Sequence, residues 1–364
     1  MPQTKGLHMS DTNERTGDLF VAYLRDKLPL VEQALREASA SAMSTDELTP
    51  VSDLSRYLYQ PLAHFTAGGG KRVRPVLALM GAEAVGGNAE QALSSGVAIE
   101  LFQSAALIHD DIADASELRR GEPCLYRTEG EGLAINAGDL ALTRVFEVVL
   151  EDPNLDAGRR VRVLEELVRM ERHTLEGQAL DLGWARDGRW DVTSDDHLYM
   201  IEGKTAWYTV ASPLFIGAVA AGASDEAARG LIDLGRPAGL AFQLQDDLLN
   251  LVGDASAQGK DFRSDITEGK RTLAVVWALE HLEPELRAEL VSLLEARTSD
   301  PADLARAVEL IEIGGGIDAC RDLALKLAQE AQDTSRALAE AGVISHNAAD
   351  LLCSMADFFI NRSA

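Results

Sequence analysis

Two acidic segments contain the residues whose types and spacing are best suited to chemistry. The first, Ile108 to Asp114, reads IHDDIAD, and the second, Phe242 to Asn250, reads FQLQDDLLN. Each places oxygen-bearing side chains at positions i, i+1 and i+4, and positions i and i+4 lie on one face of a helix. Neighbouring carboxylates oppose each other's ionisation, whereas Mg²⁺ binds one or two carboxylates together with phosphate oxygens and water. The two segments therefore predict sites where metal ions hold a diphosphate.

A solvated acidic surface is the alternative interpretation, because Asp and Glu make up 59 of the 364 residues. Exposed acidic pairs normally lie among other polar residues. Here the stretches from Leu101 to Ile108 and from Leu240 to Val252 are mostly apolar, which is typical of buried helices rather than of a wet surface. We therefore favour the metal sites.

Composition argues against several classes of protein. The formal net charge of −25 argues against nucleic acid as a partner, since phosphate backbones bind basic surfaces. No stretch approaches the roughly 18–20 uninterrupted apolar residues of a membrane span, so no transmembrane segment is expected. The cysteines show no disulfide or metal-ligand spacing, which favours a reduced, cytoplasmic protein; they are Cys124, Cys320 and Cys353.

Apolar residues recur at helical spacing through nearly the whole chain, and alternating strand patterns are absent. Glycine-rich breaks separate the helical segments. We predict an all-α protein with one large helical bundle domain at residues 18–364, packed around a central cavity, after a disordered polar tail at residues 1–17. The periodic segments include Val76–Ala84, Ala98–Ile108, Val161–Leu182, Leu198–Ala221 and Ala227–Val252, followed by Leu304–Ile311 and Ile317–Ala339.

Basic residues cluster around the acidic segments. Three glycines, Gly68 to Gly70, precede Lys71 and Arg74 at the start of a predicted helix, a pattern that lets backbone and cations approach an anion. A single basic residue of this kind is more often a solvated surface charge. What indicates an anion site is that all of them are predicted to lie around the two acidic segments. The further candidates are Arg119, Arg120, Lys204 with Thr205, Lys260 and Lys270.

In these motifs the chain resembles the trans-isoprenyl diphosphate synthases, also called polyprenyl synthetases, and most of all the geranylgeranyl diphosphate synthases. The similarity extends from about Gly68 to Arg362 and comprises GGGKRVRP, DDIAD with LRRGEP, AINAGD, GQALDL, GKT, FQLQDDLLN and EGKRTL. The resemblance implies an all-α homodimer of the isoprenoid synthase type, with a cavity between the two aspartate-rich helices.

The resemblance also implies a reaction, in which Mg²⁺ promotes condensation of isopentenyl diphosphate with dimethylallyl, geranyl or farnesyl diphosphate. Asp110 and Asp114 would hold two Mg²⁺ ions and Asp246 a third, with Asp111 and Asp247 in support. The substrate ligands it implies are Arg119, Lys204, Thr205, Gln243 and Lys260 for the allylic diphosphate, Lys71, Arg74, Gln103 and Arg120 for isopentenyl diphosphate, and Lys270 for closing a lid.

Three residues depart from the family pattern. Asn250 stands where many members carry the last aspartate of the second motif, and its amide can orient metal-bound water within the substrate site. Gln103 occupies a position that is often histidine, and either side chain can donate to phosphate. Tyr126 replaces a histidine that usually follows the arginine pair.

Residues one and two turns before Asp110 are predicted to line the pocket for the growing chain. Ala105 and Ala106 are small, whereas family members that stop at short products commonly carry bulky aromatics there. Phe102 lies eight residues before Asp110, about 12 Å deeper along a helix. We predict a geranylgeranyl (C20) product, with C25 as the next alternative. The alternative for Phe102 is that it packs into the helix core and another helix forms the floor of the pocket.

Two rival functions share the fold. A class I terpene cyclase would not need an isopentenyl site, so Lys71, Arg74 and Arg120 argue against it. A non-catalytic subunit of a heteromeric synthase would have lost several of the ligands that this chain retains. A purely structural helical protein leaves both acidic segments unexplained.

Overall fold

The computed structural model describes residues 13–40, 51–253 and 263–361. The predicted fold class is confirmed, because these residues are almost entirely helical and their strands are limited to one two-residue hairpin, β1 (Leu118–Arg119) with β2 (Glu122–Pro123). The expected disordered tail falls largely on residues 1–12, outside the described residues, while its last part is helical from Asn13 onward.

The helices follow one another with short connections. A π-helical turn, Ser55–Tyr59, joins α2 to α3, a 3₁₀ turn, Ala89–Ala92, precedes α5, and a longer π-helical segment, Glu202–Ala211, joins α9 to α10. In chain order the helices are α1 Asn13–Ala40, α2 Val51–Leu54, α3 Gln60–Ala67, α4 Val73–Ala84, α5 Leu93–Ala113, α6 Leu125–Glu129, α7 Glu131–Leu150, α8 Ala157–Arg186, α9 Ser194–Ile201, α10 Ser212–Ala220, α11 Asp225–Val252, α12 Ser264–Thr267, α13 Leu273–His281, α14 Pro284–Ala296, α15 Pro301–Ile313, α16 Gly316–Glu340 and α17 His346–Asn361.

The chain divides into two compact units, and neither is a single continuous segment. One comprises Met1–Ala22, Arg172–Ala211 and Ile232–Ala364, and the other comprises Tyr23–Glu171 and Ser212–Leu231. We call the first the QDD unit and the second the DDIAD unit, after the acidic motif that each contains. The single domain at residues 18–364 stays a prediction.

Close packing of α4 against α10 organises the DDIAD unit. A Cβ atom on Gly217 would lie 1.8 Å from the carbonyl oxygen of Ala78, and one on Gly81 would lie 2.2 Å from that of Leu214. These separations are shorter than any real Cβ contact, so only glycine lets the two helix backbones approach so closely. The α5 helix packs against both α4 and α7, and this places the first acidic motif on a buried helix.

The QDD unit is built on a core in which α11 contributes Leu244, Leu248 and Leu251. Its second buried feature is an aromatic cluster in which the Phe359 ring packs edge-on against Phe20 and Phe242. The α11 helix begins as its sequence suggests, since the Ser224 hydroxyl accepts a hydrogen bond from the Ala227 N–H. The core therefore fixes the helix that carries the second acidic motif.

One stretch of the described residues, Ala89–Ala113, is long and apolar enough by length and composition to cross a membrane. However, 67% of its most apolar window is buried inside the protein, as is common for a core helix. It is therefore weak evidence for a membrane span.

Candidate active site

The first acidic motif lies at the C-terminal end of α5. Asp110 and Asp111 are in its last turn, and Asp114 caps the helix by donating its N–H to the Asp110 carbonyl at 2.8 Å. The unpaired carbonyls at a helix C-terminus carry partial negative charge, which favours a nearby cation. The C-terminal end of α5 and the carboxylates of the motif thus both favour binding of a cation.

Asp111 holds Arg119 in place. Its side chain is 1% exposed, and its Oδ1 accepts hydrogen bonds from Arg119 Nε at 2.9 Å and from Nη2 at 2.5 Å. Burial alone would lower the pKa of Arg119, but the hydrogen bonds and negative charge of Asp111 raise it overall. This geometry fixes the Arg119 guanidinium beside the motif and leaves Asp111 Oδ2 without a hydrogen-bond partner within the described residues. The supporting role of Asp111 at a metal site stays a prediction.

The glycine-rich loop is anchored by Arg72, which the sequence did not separate from its basic neighbours. The Arg72 side chain is fully buried and donates to Glu32 at 2.8 Å, to Glu100 at 2.6 Å and to the Thr66 carbonyl at 2.6 Å. Its backbone is left-handed, with φ +46°, and α4 begins at the next residue. Arg72 is therefore a structural anchor and not a candidate ligand.

The other cations of this region remain accessible. Arg74, in the first turn of α4, donates to Gln103 Oε1 at 3.0 Å, and Lys71 is exposed in the loop. Burial and the guanidinium groups of Arg72, Arg119 and Arg74 lower the pKa of Arg120, with Glu100 offsetting part of the effect. Crowded cations of this kind favour binding of an anion.

A cavity of 650 Å³ opens beside Arg119 and Arg120. Apolar and cationic groups share its wall, as expected for a ligand with a charged head and an apolar body. Burial, together with the Asp111 carboxylate, raises the pKa of the Cys124 thiol to about 11, so it stays protonated. The lining residues are His64, Phe65, Ala67, Gly68, Arg119, Arg120, Glu122, Pro123, Cys124, Leu125 and Thr128.

Tyr126, the third departure from the family pattern, has a structural explanation. Its hydroxyl donates a hydrogen bond to the Ser116 carbonyl at 2.8 Å. This bond ties α6 to the loop that leaves the first acidic motif.

The second acidic motif lies on α11, where Gln243 Nε2 donates to Asp247 Oδ1 at 2.7 Å. Burial and the carboxylates of Asp265 and Asp246 hold the pKa of Asp247 well above its usual range, despite that hydrogen bond. Asp246 is half-buried on the same helix. A bound cation would relieve this crowding of like charges.

A pocket of 110 Å³ brings most of the predicted ligands of this motif together. Lys260 lies outside the described residues, so its place stays a prediction. The pocket is lined by Asp181, His197, Met200, Ile201, Lys204, Thr205, Gln243, Asp247, Asp265, Lys270, Arg271 and Thr272.

A close helix contact places Lys204 opposite Asp181. A Cβ on Gly177 would lie 2.3 Å from the Lys204 nitrogen and 2.7 Å from the Met200 carbonyl, so α8 meets the π-helical segment backbone to backbone. The Lys204 ammonium forms an ion pair with Asp181 across this contact. Short π-helical segments occur frequently at functional sites.

Lys270, the predicted lid residue, pairs with Asp265 at 3.1 Å and with Glu268 at 2.7 Å. Burial would lower the pKa of Lys270, but these carboxylates raise it overall. Asn250 fixes the same region, because its Nδ2 donates to Ser264 Oγ at 3.0 Å and its Oδ1 accepts the Asp265 N–H at 3.2 Å. The amide thus acts as donor and acceptor at once, which an ionised aspartate could not do.

Sequence reasoning missed several lining residues of this pocket. Asp181 belongs to the GQALDL motif and could have been found there. Arg271 likewise belongs to the EGKRTL motif. Asp265 and His197 carry no local signal, because only the packing of α9 and α12 brings them to α11.

The predicted chain-length residues lie on α5. Phe102, Ala106 and Asp110 are four residues apart, so they share one helix face. Phe102 is 2% exposed, and Ala105 is fully buried in an apolar cluster with Leu62 and Ala137. Their contribution to a tail pocket stays a prediction.

The donor sets suit Mg²⁺. Within the described ranges no three His, Cys, Asp or Glu side chains converge into a metal cage. Mg²⁺ does not require one, because it binds through one or two carboxylates plus phosphate oxygens and water. The predicted ligands Asp110 and Asp246 each adjoin such a carboxylate, since Asp111 leaves one buried oxygen unpaired and Asp247 is crowded by like charges. Both motifs thus offer the hard oxygen donors that Mg²⁺ prefers.

Comparison with known proteins decides the family. Residues 55–311 match the family model described as polyprenyl synthetase. The chain belongs to the polyprenyl synthetase family. It is 37% identical over 341 residues to a short chain isoprenyl diphosphate synthase of Methanothermobacter thermautotrophicus, covering 93% of this chain and 97% of that protein. It is 36% identical over 354 residues to a geranylfarnesyl diphosphate synthase of Natronomonas pharaonis, covering 92% and 98%.

Solved structures of this polyprenyl synthetase family agree with the fold. One is a geranylgeranyl pyrophosphate synthase from Corynebacterium glutamicum complexed with isoprenyl diphosphate and magnesium. It aligns with a TM-score of 0.76 at 28% identity, covering 98% of this chain and 100% of that one.

Proposed function

We propose that this polyprenyl synthetase is a Mg²⁺-dependent trans-prenyltransferase that condenses isopentenyl diphosphate with an allylic diphosphate. The observation that carries the proposal is that fixed cations lie beside each acidic motif. Asp111 of the DDIAD motif binds Arg119, and Asp247 of the second motif shares a pocket with Lys204 and Lys270. Carboxylates beside fixed cations suit a metal-bound diphosphate, because carboxylates hold the metal while cations neutralise the phosphate oxygens.

The cationic residues divide between two substrates. Lys204, Thr205 and Gln243 would hold the allylic diphosphate in the pocket of the QDD unit. Lys71, Arg74 and Arg120 would hold isopentenyl diphosphate in the DDIAD unit, where Gln103 orients Arg74. The assignment of Arg119, Lys260 and Asn250 to substrate stays a prediction.

The chemistry begins with departure of the allylic diphosphate. Mg²⁺ held by Asp110, Asp114 and Asp246 would supply Lewis-acid stabilisation of the negative charge. Lys204 adds a fixed positive charge at the place where the leaving diphosphate develops negative charge. The isopentenyl double bond then attacks the allylic C1, and the released diphosphate takes the proton that the adduct loses. Lys270 helps to exclude water, which would otherwise quench the allylic cation.

We propose geranylgeranyl diphosphate, C20, as the main product. The small Ala106 side chain leaves space for the growing prenyl chain one helical turn before Asp110. Phe102 lies on the same helix face one further turn away and would block the chain there. The wild-type chain alone, incubated with Mg²⁺, isopentenyl diphosphate and geranyl diphosphate, is expected to yield C20, and Phe102→Ala a longer product. Chromatography of the dephosphorylated products measures both.

Leu101→Ala is the matched control for Phe102→Ala, since Leu101 is fully buried on the neighbouring face of α5. It is expected to keep the C20 length. A wild-type C15 product would overturn the C20 assignment, and an unchanged length in Phe102→Ala would remove Phe102 from the floor. Turnover that consumes isopentenyl diphosphate would also exclude a terpene cyclase and a non-catalytic subunit.

We further propose a homodimer that forms through α8. This helix exposes four apolar side chains at intervals of seven residues, namely Val161, Val168, Leu175 and Leu182. Such a stripe on one helix face is typical of a helix–helix interface. Sedimentation of the wild type is expected to give twice the mass of one chain, whereas Leu175→Glu yields monomers. Leu325→Glu on α16, also an exposed leucine, is expected to stay dimeric; a monomeric wild type would refute the proposal.

A cytoplasmic location fits the state of the thiols. Cys124, Cys320 and Cys353 are all free and buried. This supports a reducing compartment.

A further inference from the structure

A buried histidine with no assigned role lies in the wall of the second pocket. His197 is 2% exposed, and neither of its ring nitrogens has a hydrogen-bond partner in the part of the chain that the structure describes. Buried polar groups are nearly always paired, because an unpaired one loses its hydration without compensation. Because this imidazole lines a pocket and both of its nitrogens are unpaired, the geometry points to a ligand in the pocket that forms a hydrogen bond with the ring.

The position of His197 is closely fixed. It lies in α9, whose N-terminus carries a capping box between Thr193 and Asp196. The same end is tied to α13, because the Ser194 N–H and hydroxyl donate to Glu280 at 3.0 and 2.5 Å. The imidazole is thus presented to the pocket by a helix that is held at its start.

The groups that act on the His197 imidazole come from three elements. They are the charges of Asp181 on α8 and Lys204 on the π-helical segment, and the backbone of Arg271 after α12, which approaches the ring beyond hydrogen-bond distance. Burial and Lys204 lower the pKa of His197 to about 4, against the opposing effects of Asp181 and the Arg271 backbone. The imidazole is therefore neutral near pH 7 and offers one N–H donor.

The same pocket holds Lys204, Thr205 and Lys270 beside three carboxylates, so it suits an anion with several acceptor oxygens that enters together with Mg²⁺. We propose that His197 is a further diphosphate-binding residue, whose ring N–H donates to a non-bridging oxygen of the allylic diphosphate. This rests on the proposed function of the pocket. A neutral donor adds a hydrogen bond without adding charge, so it orients the diphosphate beside the cations that neutralise it.

His197→Phe tests the inference, because phenylalanine keeps the ring volume and removes both nitrogens. Binding of inorganic pyrophosphate with Mg²⁺, measured by calorimetry, is expected to weaken about tenfold or more, as for loss of a hydrogen bond to a charged group. In steady-state kinetics, the KM for geranyl diphosphate rises similarly while the KM for isopentenyl diphosphate stays unchanged. The better of His197→Asn and His197→Gln, which replace Nδ1 and Nε2 respectively, restores most of the binding.

His173→Phe is the matched control, since His173 lies on α8 and stacks on Trp207 at 4.5 Å, away from the proposed ligand. It is expected to bind pyrophosphate as the wild type does. Unchanged pyrophosphate binding in His197→Phe, an equal rise in both KM values, or failure of both amide variants to restore binding would overturn the inference. A wild type that binds pyrophosphate through His197 but forms no prenyl product would refute the proposed function alone.

Discussion

Replacing Asp110 or Asp246 by alanine is expected to lower kcat by about 10²–10⁴-fold, because either change removes a carboxylate proposed to hold Mg²⁺. Asp110 stands in the last turn of α5 and Asp246 is half-buried on α11. Neither substitution removes an apolar contact of the core, so helical content and melting temperature should stay close to those of the wild type. The measurement is product formation at saturating substrates over a Mg²⁺ titration, with circular dichroism on the same samples.

Asp318→Ala is the matched control for these two variants. Its side chain is 82% exposed and pairs with Arg321 three residues further along the same helix. This change is expected to leave kcat within about twofold, as for a surface ion pair. If Asp110→Ala or Asp246→Ala kept a near-wild-type rate at every Mg²⁺ concentration, the proposed metal sites would be wrong.

Arg72→Met is expected to be the most destabilising charge substitution in the glycine-loop region, by about 3–5 kcal/mol. The change leaves Glu100, whose side chain is 3% exposed, buried without its cation, and it also removes the bond to Glu32. The measurement is the urea midpoint of unfolding. The KM for isopentenyl diphosphate should rise as well, because Arg72 anchors the loop that carries Lys71.

Arg36→Met provides the comparison for Arg72→Met, since Arg36 contacts the same Glu32 at 3.9 Å but is 62% exposed. An exposed pair contributes about 0–1 kcal/mol, so its midpoint should barely move. Adding Glu100→Gln to Arg72→Met removes the uncompensated charge and is expected to recover part of the stability. Equal midpoints for the Arg72→Met and Arg36→Met proteins would contradict the anchoring role.

The helical fold class and the two acidic motifs can be predicted from local sequence alone. The apolar period of 3.6 is local information, and the predicted segments around Asp110 and Asp246 are helices in the structure. The GGGKRVRP, DDIAD and FQLQDDLLN motifs likewise identified the family, because their order and residue types can be read without knowing any contact.

Tertiary structure decided which member of each cluster does what. Arg72 and Arg74 are two residues apart in one basic run, yet only packing against Glu32 and Glu100 makes the first a buried anchor. The sequence suggests that the Asn250 amide orients metal-bound water, and only the fold shows the same amide holding Ser264 and Asp265. His197 lies 16 residues beyond Asp181 in sequence and shares a pocket with it. Such roles depend on burial and on partners distant in sequence, and neither is encoded in local periodicity.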